Sequence, residues 1–303
     1  MSAEAPIAYL PRIRSYYQAL GYGEPYRWAQ YDDVPFHRLA KPLSAARIAV
    51  VTTAAPFQPG KGEQGPGAPY NAAAKFYRVY SGETSTDPDL RISHVAIDRA
   101  HTTAEDQNSY FPLQAMRRAV SAKRIGAITP HFFGLPTNRS QRTTLDVDCV
   151  ELLRLVKADA SDAAILVPNC PVCHQSVSLA ARVLEGAGVA TVIMGCAKDI
   201  VEPVGVPRLL FSDFPLGNAA GKPGDAVSQD VTLGLALGLL ERADAPRATL
   251  TSPLEWSKDH GWKGDYSNIE RLTAEEIAGH RAEFDRGRAI GRQLRGGSHT
   301  SAE

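Results

Sequence analysis

The residues best suited to chemistry in this sequence are the two thiols of Cys170-Pro171-Val172-Cys173. The apolar run Ala163–Val167 before them predicts a strand, and Pro171 opens a predicted helix. Proline suits the first helical turn, where its missing N–H would be unpaired anyway. Cys170 is then expected at the N-cap, with Cys173 about one turn into the helix. A sulfur at that position can accept backbone N–H groups at the positive end of the helix dipole. Both effects favour thiolate, so Cys170 is expected to ionise below about 8.5, the value of a free cysteine. Cys173 is close enough to close a disulfide onto it, and His174 is expected to add positive charge or donate a proton.

Other readings of the pair stay open. It could be half of a zinc site completed by His131, Cys196 or His94, although no second Cys-x-x-Cys or His-x-x-His occurs. It could be inert and buried, or a simple thiol–disulfide exchange site, for which the surrounding βαβ context is not thioredoxin-sized. Cys196 follows the predicted strand Val189–Met194 and is expected near the same cleft, whereas Cys149 reads as core packing in an amphipathic helix.

Several polar residues are candidates beside the thiols. His94 and Asp98 lie four apart on a predicted strand, Ile92–Ile97, and would share a face. His94 is then a general acid, oriented by Asp98 or by Asp106, with Asn108 in the same loop. His131 follows Pro130 at a strand end and is expected in the cleft. The Gly-rich loop at 56–69 offers Lys61 to an anionic group; it lacks the Ser or Thr of a Walker A motif and reads as a mobile lid. Asp213 and Asp225 flank a second Gly-rich loop, with Asp225 at a helix N-cap.

Positioning these residues calls for an α/β fold, a mostly parallel sheet flanked by helices. Predicted strands at Ile48–Thr53, Ile125–Thr129, Ala163–Val167, Val189–Met194 and Leu209–Ser212 alternate with predicted helices at Leu113–Ala122, Leu145–Ala158 and Ala226–Arg242, besides the one that follows Cys170. In the helix at Leu145–Ala158, Val147, Val150, Leu153 and Val156 mark the apolar face. Three segments are expected. Residues 1–44 form an aromatic-rich extension that packs on the core and carries a helix at Tyr9–Leu20. Residues 45–243 form the catalytic core, and residues 244–303 a C-terminal extension with a helix at about 273–295, opened by the capping box Thr273/Glu276. In such a sheet the site forms where loops leave the carboxyl ends of the strands.

The bulk composition narrows the function. Thirty-three basic and 33 acidic side chains cancel in 303 residues, which removes the net charge expected of a nucleic-acid or anionic-membrane binder. No apolar run reaches the roughly 18–20 residues of a membrane span, and Met1–Ile7 has no secretory pattern. Four cysteines are too few for a disulfide scaffold. A cytoplasmic protein with reduced thiols is expected.

The run Ala163-Ala164-Ile165-Leu166-Val167-Pro168-Asn169-Cys170-Pro171-Val172-Cys173-His174-Gln175 resembles the redox-motif region of a reductase family. That family comprises the selenoprotein B subunits of glycine, sarcosine and betaine reductase and the related selenoprotein subunit of D-proline reductase. Two further stretches carry the resemblance. One is Ile92-Ser93-His94-Val95 through Asp98, with Asp106-Gln107-Asn108 and Phe111-Pro112-Leu113. The other is Asp213-Phe214-Pro215-Leu216-Gly217-Asn218 with Gly221 to Asp225. It covers roughly residues 45–243. The resemblance implies reductive cleavage of a C–N bond, in which a selenolate attacks the carbon bearing an activated amine and thiols restore the enzyme. Cys170 would stand in the nucleophile's place and Cys173 in that of its redox partner. A partner subunit with a pyruvoyl group usually activates the amine. This sequence has cysteine where a selenoprotein has selenocysteine, and it has no evident pyruvoyl-forming segment.

The expected function is a thiol-dependent reductase acting on a small polar substrate at a carbon–heteroatom bond next to a carbonyl. No intrinsic cofactor is expected; a dithiol or a thioredoxin-type partner would supply electrons, and the protein is expected to be oligomeric or to join a second subunit. The alternatives are a cofactor-independent racemase or lyase using Cys170 and Cys196, and a zinc-bearing or accessory subunit without catalysis.

Overall fold

The structure is a computed structural model that describes residues 5–297 apart from Ser93 and Val95. In chain order its main elements are α1 (Tyr9–Ala19), β1 (Arg47–Thr52), β2 (Ala55–Pro56), β3 (Tyr80–Glu83), β4 (Leu90–Arg91), α2 (Leu113–Ser121), β5 (Ala127–Ile128), β6 (His131–Gly134) and α3 (Gln141–Thr143). They continue with α4 (Cys149–Ala158), β7 (Ala163–Val167), α5 (Pro171–Gly186), β8 (Ala190–Gly195), α6 (Lys198–Val204), β9 (Arg208–Phe211), α7 (Ala226–Arg242), β10 (Ala248–Thr251) and α8 (Ala274–Gly297).

The main sheet has the order β10-β9-β8-β7-β1-β6-β3, with β5 also paired to β1. Its pairs are parallel except β3 with β6. The chain is therefore α/β, with a mostly parallel sheet flanked by helices and a C-terminal helix. β7 and β8 are buried at every residue, as expected of strands covered on both faces. One apolar cluster joins the inner faces of α4 and α5 to one side of the sheet, and a second joins α2 and α7 to the other.

The predicted strand Ile125–Thr129 is the first half of a broken one. β5 pairs with the start of β1 and β6 with its end, and Thr129-Pro130 lies between them, because proline has no N–H to give the ladder. Gly134 ends β6 under the ring of Tyr80, so close that a Cβ would overlap it. The sheet also runs past residue 243, since β10 adds to its edge.

Two expectations change. The predicted strand Ile92–Ile97 does not form among its described residues; Ser93 and Val95 lie outside them. Pairing stops at Leu90–Arg91 with the short β2, and Asp98 N then donates to Leu216 O across a loop. Val147 and Val150 are each 59% exposed, so they are not on the core face. The helical stretch begins at Gln141 with Ser140 as its cap, and a π turn at Thr144–Asp148 shifts its register. Cys149, Leu152 and Val156 form the buried stripe instead.

Candidate functional site

β6 and β7 lie on opposite sides of β1, so the loops leaving these three strands diverge around one point, the topological position where α/β sheets place ligands. The cysteine pair sits there. Cys170 has extended dihedrals (φ −131°, ψ 169°), caps α5, and accepts a hydrogen bond from Cys173 N at 3.2 Å, with Pro171 in the first turn. Asn169 N donates to Thr53 Oγ1 at 3.1 Å and ties this loop to the end of β1. The two cysteines form a disulfide. Thr137, in the loop after β6, places its hydroxyl 3.2 Å from Cys173 Sγ.

Above the pair opens a cavity of about 1340 Å³ whose wall includes Cys170, Thr137 and His94. Cys173 is fully buried and does not line it; Cys170 is 3% exposed at its floor. Much of the rest of the wall comes from the two ends of the chain, with Lys75, Asp98, Arg99 and Arg139 from the middle of the chain also on it. Tyr16 Oη meets His280 Nδ1 at 3.1 Å, Tyr22 Oη donates to Asp285 at 2.7 Å, and Arg281 donates to Leu20 O at 2.6 Å. The aromatic N-terminal segment and α8 thus close over the thiols together.

His174 does not line the cavity, and its surroundings do not suit a proton donor to substrate. Its ring is wholly buried, with Nδ1 2.8 Å from Cys170 O and Nε2 accepting from Cys196 N at 2.9 Å and Ala197 N at 3.2 Å. Because Nε2 accepts two N–H groups, the proton sits on Nδ1, and burial pushes the pKa down to about 4. The imidazole is therefore a neutral brace between the first turn of α5 and the loop after β8. A base whose folded pKa is lowered binds fewer protons than it does unfolded, so stability falls as pH drops from about 6.5 to about 4. The slope for one such group is about 1.4 kcal/mol per pH unit. Replacing His174 with Asn is expected to remove that much of the slope in urea titrations between pH 6.5 and 4.5; an unchanged slope would contradict the neutral brace.

His94 lines the cavity, and its ring lies within 4.8 Å of both sulfurs. Burial first, then the charges of Lys75 and Arg99, push its pKa down to about 3. A ring held neutral this way is not the imidazolium that a general acid needs at neutral pH, and the hydrogen bond to the Thr53 backbone occupies its one N–H, which argues against the general-acid role. Nor do the carboxylates orient it. Asp98 lines the same cavity but interacts with His101. Asp106 is a loop clamp that accepts from Asn108 N, Gly224 N and Gln229 Nε2.

The remaining candidates are not brought to the cavity. His131 begins β6 and so lies at the amino edge of the sheet, bonded to Asp159 at 3.1 Å; a strand's first residue cannot face a cleft at its carboxyl end. Lys61 is exposed in its loop, and Asn108 sits beside Asp106. Cys196 is buried in the core, and burial together with Asp213 pushes its thiol well above the usual range. Asp213 accepts from Lys263 Nζ at 2.5 Å, and Asp225 caps α7 through Ser228 N. Sequence reasoning missed Thr137, Lys75 and Arg139. Thr137 and Arg139 follow β6, a strand too short to stand out, while Lys75 precedes the equally short β3 and donates to Thr137 O at 2.8 Å.

No family model matches the chain, and no solved structure matches it. Curated relatives do. D-proline reductase subunit gamma of Acetoanaerobium sticklandii is 28% identical over 162 residues, 53% of this chain and 66% of that protein. The glycine reductase complex component B subunit gamma of Symbiobacterium thermophilum is 24% identical over 212 residues, 67% of this chain and 48% of the relative. Its counterpart from Peptoclostridium acidaminophilum is 22% identical over 204 residues, covering 66% and 46%. This chain thus spans just under two thirds of the first relative and about half of the other two. It is a homologue of these two kinds of reductase subunit.

Proposed function

We propose that this chain is a thiol-dependent reductase that cleaves a C–N bond, or another carbon–heteroatom bond next to a carbonyl, with Cys170 as nucleophile and Cys173 as resolving thiol. The observation that carries the reading is the asymmetry of the pair. Cys170 opens on the cavity, Cys173 lies behind it, and the two are within bonding reach.

The Cys170 thiolate attacks the carbon that bears the leaving group. A C–S bond forms as the C–N bond breaks, and the nitrogen departs with the electron pair and a proton. Cys173 as thiolate then attacks the Cys170 sulfur. The S–S bond forms, the C–S bond breaks, and its pair passes to the carbon next to the carbonyl, which takes a proton. Two thiols are oxidised and the substrate gains two electrons. The N–H of Cys173 supports the first thiolate through its hydrogen bond. An external dithiol or a thioredoxin-type protein reduces the disulfide.

A neutral amine is a poor leaving group. The relatives are named as subunits, which supports a second chain that activates the amine; a substrate with a better leaving group would need none. Arg139, on the cavity wall and bonded to Tyr17 Oη at 2.8 Å, brings positive charge suited to a substrate carboxylate.

Limiting iodoacetamide applied to the reduced protein between pH 5.5 and 9 tests the thiol. Cys170 is expected to label first, with a midpoint below about 8.5, and Cys173 to lag because it is buried. Labelling of Cys170 only at or above that value would remove the basis for an activated nucleophile.

A further inference from the structure

The reduced pair has a third neighbour. His94, Cys170 and Cys173 each offer a ligand atom, and these atoms lie within 4.8 Å of one another. Among the described residues His94 Nδ1 is buried without a hydrogen-bond partner, an arrangement that is unfavourable unless something takes up the lone pair. The ring also hydrogen-bonds the backbone of Thr53, the kind of outer contact that fixes a metal-ligating imidazole. Both sulfurs have outer contacts too: Cys173 N–H points at Cys170 Sγ, and the Thr137 hydroxyl touches Cys173 Sγ. Because His94 and Cys170 both line the cavity, a fourth coordination position would open into it.

We propose that, with the pair reduced, His94, Cys170 and Cys173 bind one thiophilic divalent cation, with zinc the natural occupant, and that closing the disulfide releases it. Two thiolates and an imidazole select zinc or cadmium over magnesium or calcium. Zn–S bonds of about 2.3 Å and Zn–N bonds of about 2.0 Å put ligand atoms around one ion at separations comparable to the 4.8 Å within which these three atoms lie, once the sulfurs part. Binding transfers no electrons: two S–H protons go to solvent as two Zn–S bonds and one Zn–N bond form. Oxidising both sulfurs to the disulfide removes two of three ligands at once. The site stands apart from the reductase reading, but its consequence rests on it, since a thiolate held by zinc is withdrawn from attack on carbon.

The full chain, reduced with a phosphine and freed of metal, is titrated with Zn²⁺ against a chromophoric chelator, and with Co²⁺ for its visible spectrum. One equivalent is expected in the reduced protein, with the intense bands of a tetrahedral thiolate site, and none above background in the disulfide form. His94→Ala is expected to weaken binding by at least about tenfold, His94→Cys to restore it with a more thiolate-rich cobalt spectrum, and Cys149→Ser to change nothing. Equal binding by the reduced and disulfide forms, or an affinity that His94→Ala leaves unmoved, overturns the site. The reductase reading is followed separately, by the substrate-dependent loss of free thiols with chelator present, so either can fail alone.

Discussion

Replacing Cys170 with serine is expected to cut turnover by about a thousandfold or more, the scale on which a covalent nucleophile acts. Replacing Cys173 should also stop the cycle, but one step later. The two variants differ because the cysteines stand differently to the cavity: Cys170 lines it, and Cys173 lies behind with its sulfur against Thr137. Without Cys170 no C–S bond can form, and intact-mass measurement should find the protein unmodified after incubation with substrate. Without Cys173 the C–S bond forms and nothing inside the protein can break it. A covalent adduct should accumulate on Cys170, be mapped there by peptide mass, and be released by added dithiol. Retention of more than a tenth of the activity by Cys170→Ser, or full turnover without adduct by Cys173→Ser, would reverse or abolish the assignment. Cys149→Ser serves as control, because that thiol is buried in α4 and pushed up to about 12 by burial.

The parts of this fold that were legible in the sequence are those where local signals agree. β7 is five apolar residues in a row, α5 begins with an N-cap and a proline, and α7 begins with the capping Asp225. The capping box of Thr273 and Glu276 forms as its spacing implies, with Glu276 accepting from Thr273 N at 2.8 Å. The short strands β3, β6 and β10 were not legible, since four residues leave little periodicity to read. At the site, the sequence was enough to place Cys170 at a helix start. It could not place the cavity wall, because Tyr22 and Asp285 meet across 263 residues. Nor did it separate His94 from Asp98, since their shared face depended on a strand that ends at Arg91. His174 could have been read better. It sits one turn before Ser178 and close to Val177 on the buried side of α5, so its helical position pointed inward even though its chemistry suggested a role outward.

The other large effect is expected far from the thiols, at the buried pair Arg208 and Glu185. Both side chains are fully buried and meet at 2.8 Å. Arg208 also donates to Thr191 O and to His37 O, and Glu185 accepts from Thr191 N, Thr191 Oγ1 and His37 N. One ion pair thus joins β9, β8 and α5 to the N-terminal segment, and the guanidinium lies 4.4 Å from the centre of the Phe36 ring. Replacing Arg208 with Ala strands a carboxylate that burial already pushes upward in pKa and that Arg208 pulls back down. The expected loss is about 3–5 kcal/mol, a large share of the roughly 5–15 kcal/mol that holds a typical domain; chemical denaturation measures it. Replacing both partners with apolar residues should cost less, because no charge is then buried alone, although Thr191 N and His37 N lose their acceptor. The segment released leads back through Ala29 and Tyr26, both bonded to Gln175 of α5, to the cavity wall. If Arg208→Ala unfolds the chain locally before it does so globally, Cys170 should become more reactive at denaturant concentrations that leave the helical signal intact. A loss below about 1 kcal/mol would mean that Glu185 is protonated in the folded chain, and the segment would then be held by packing rather than by charge.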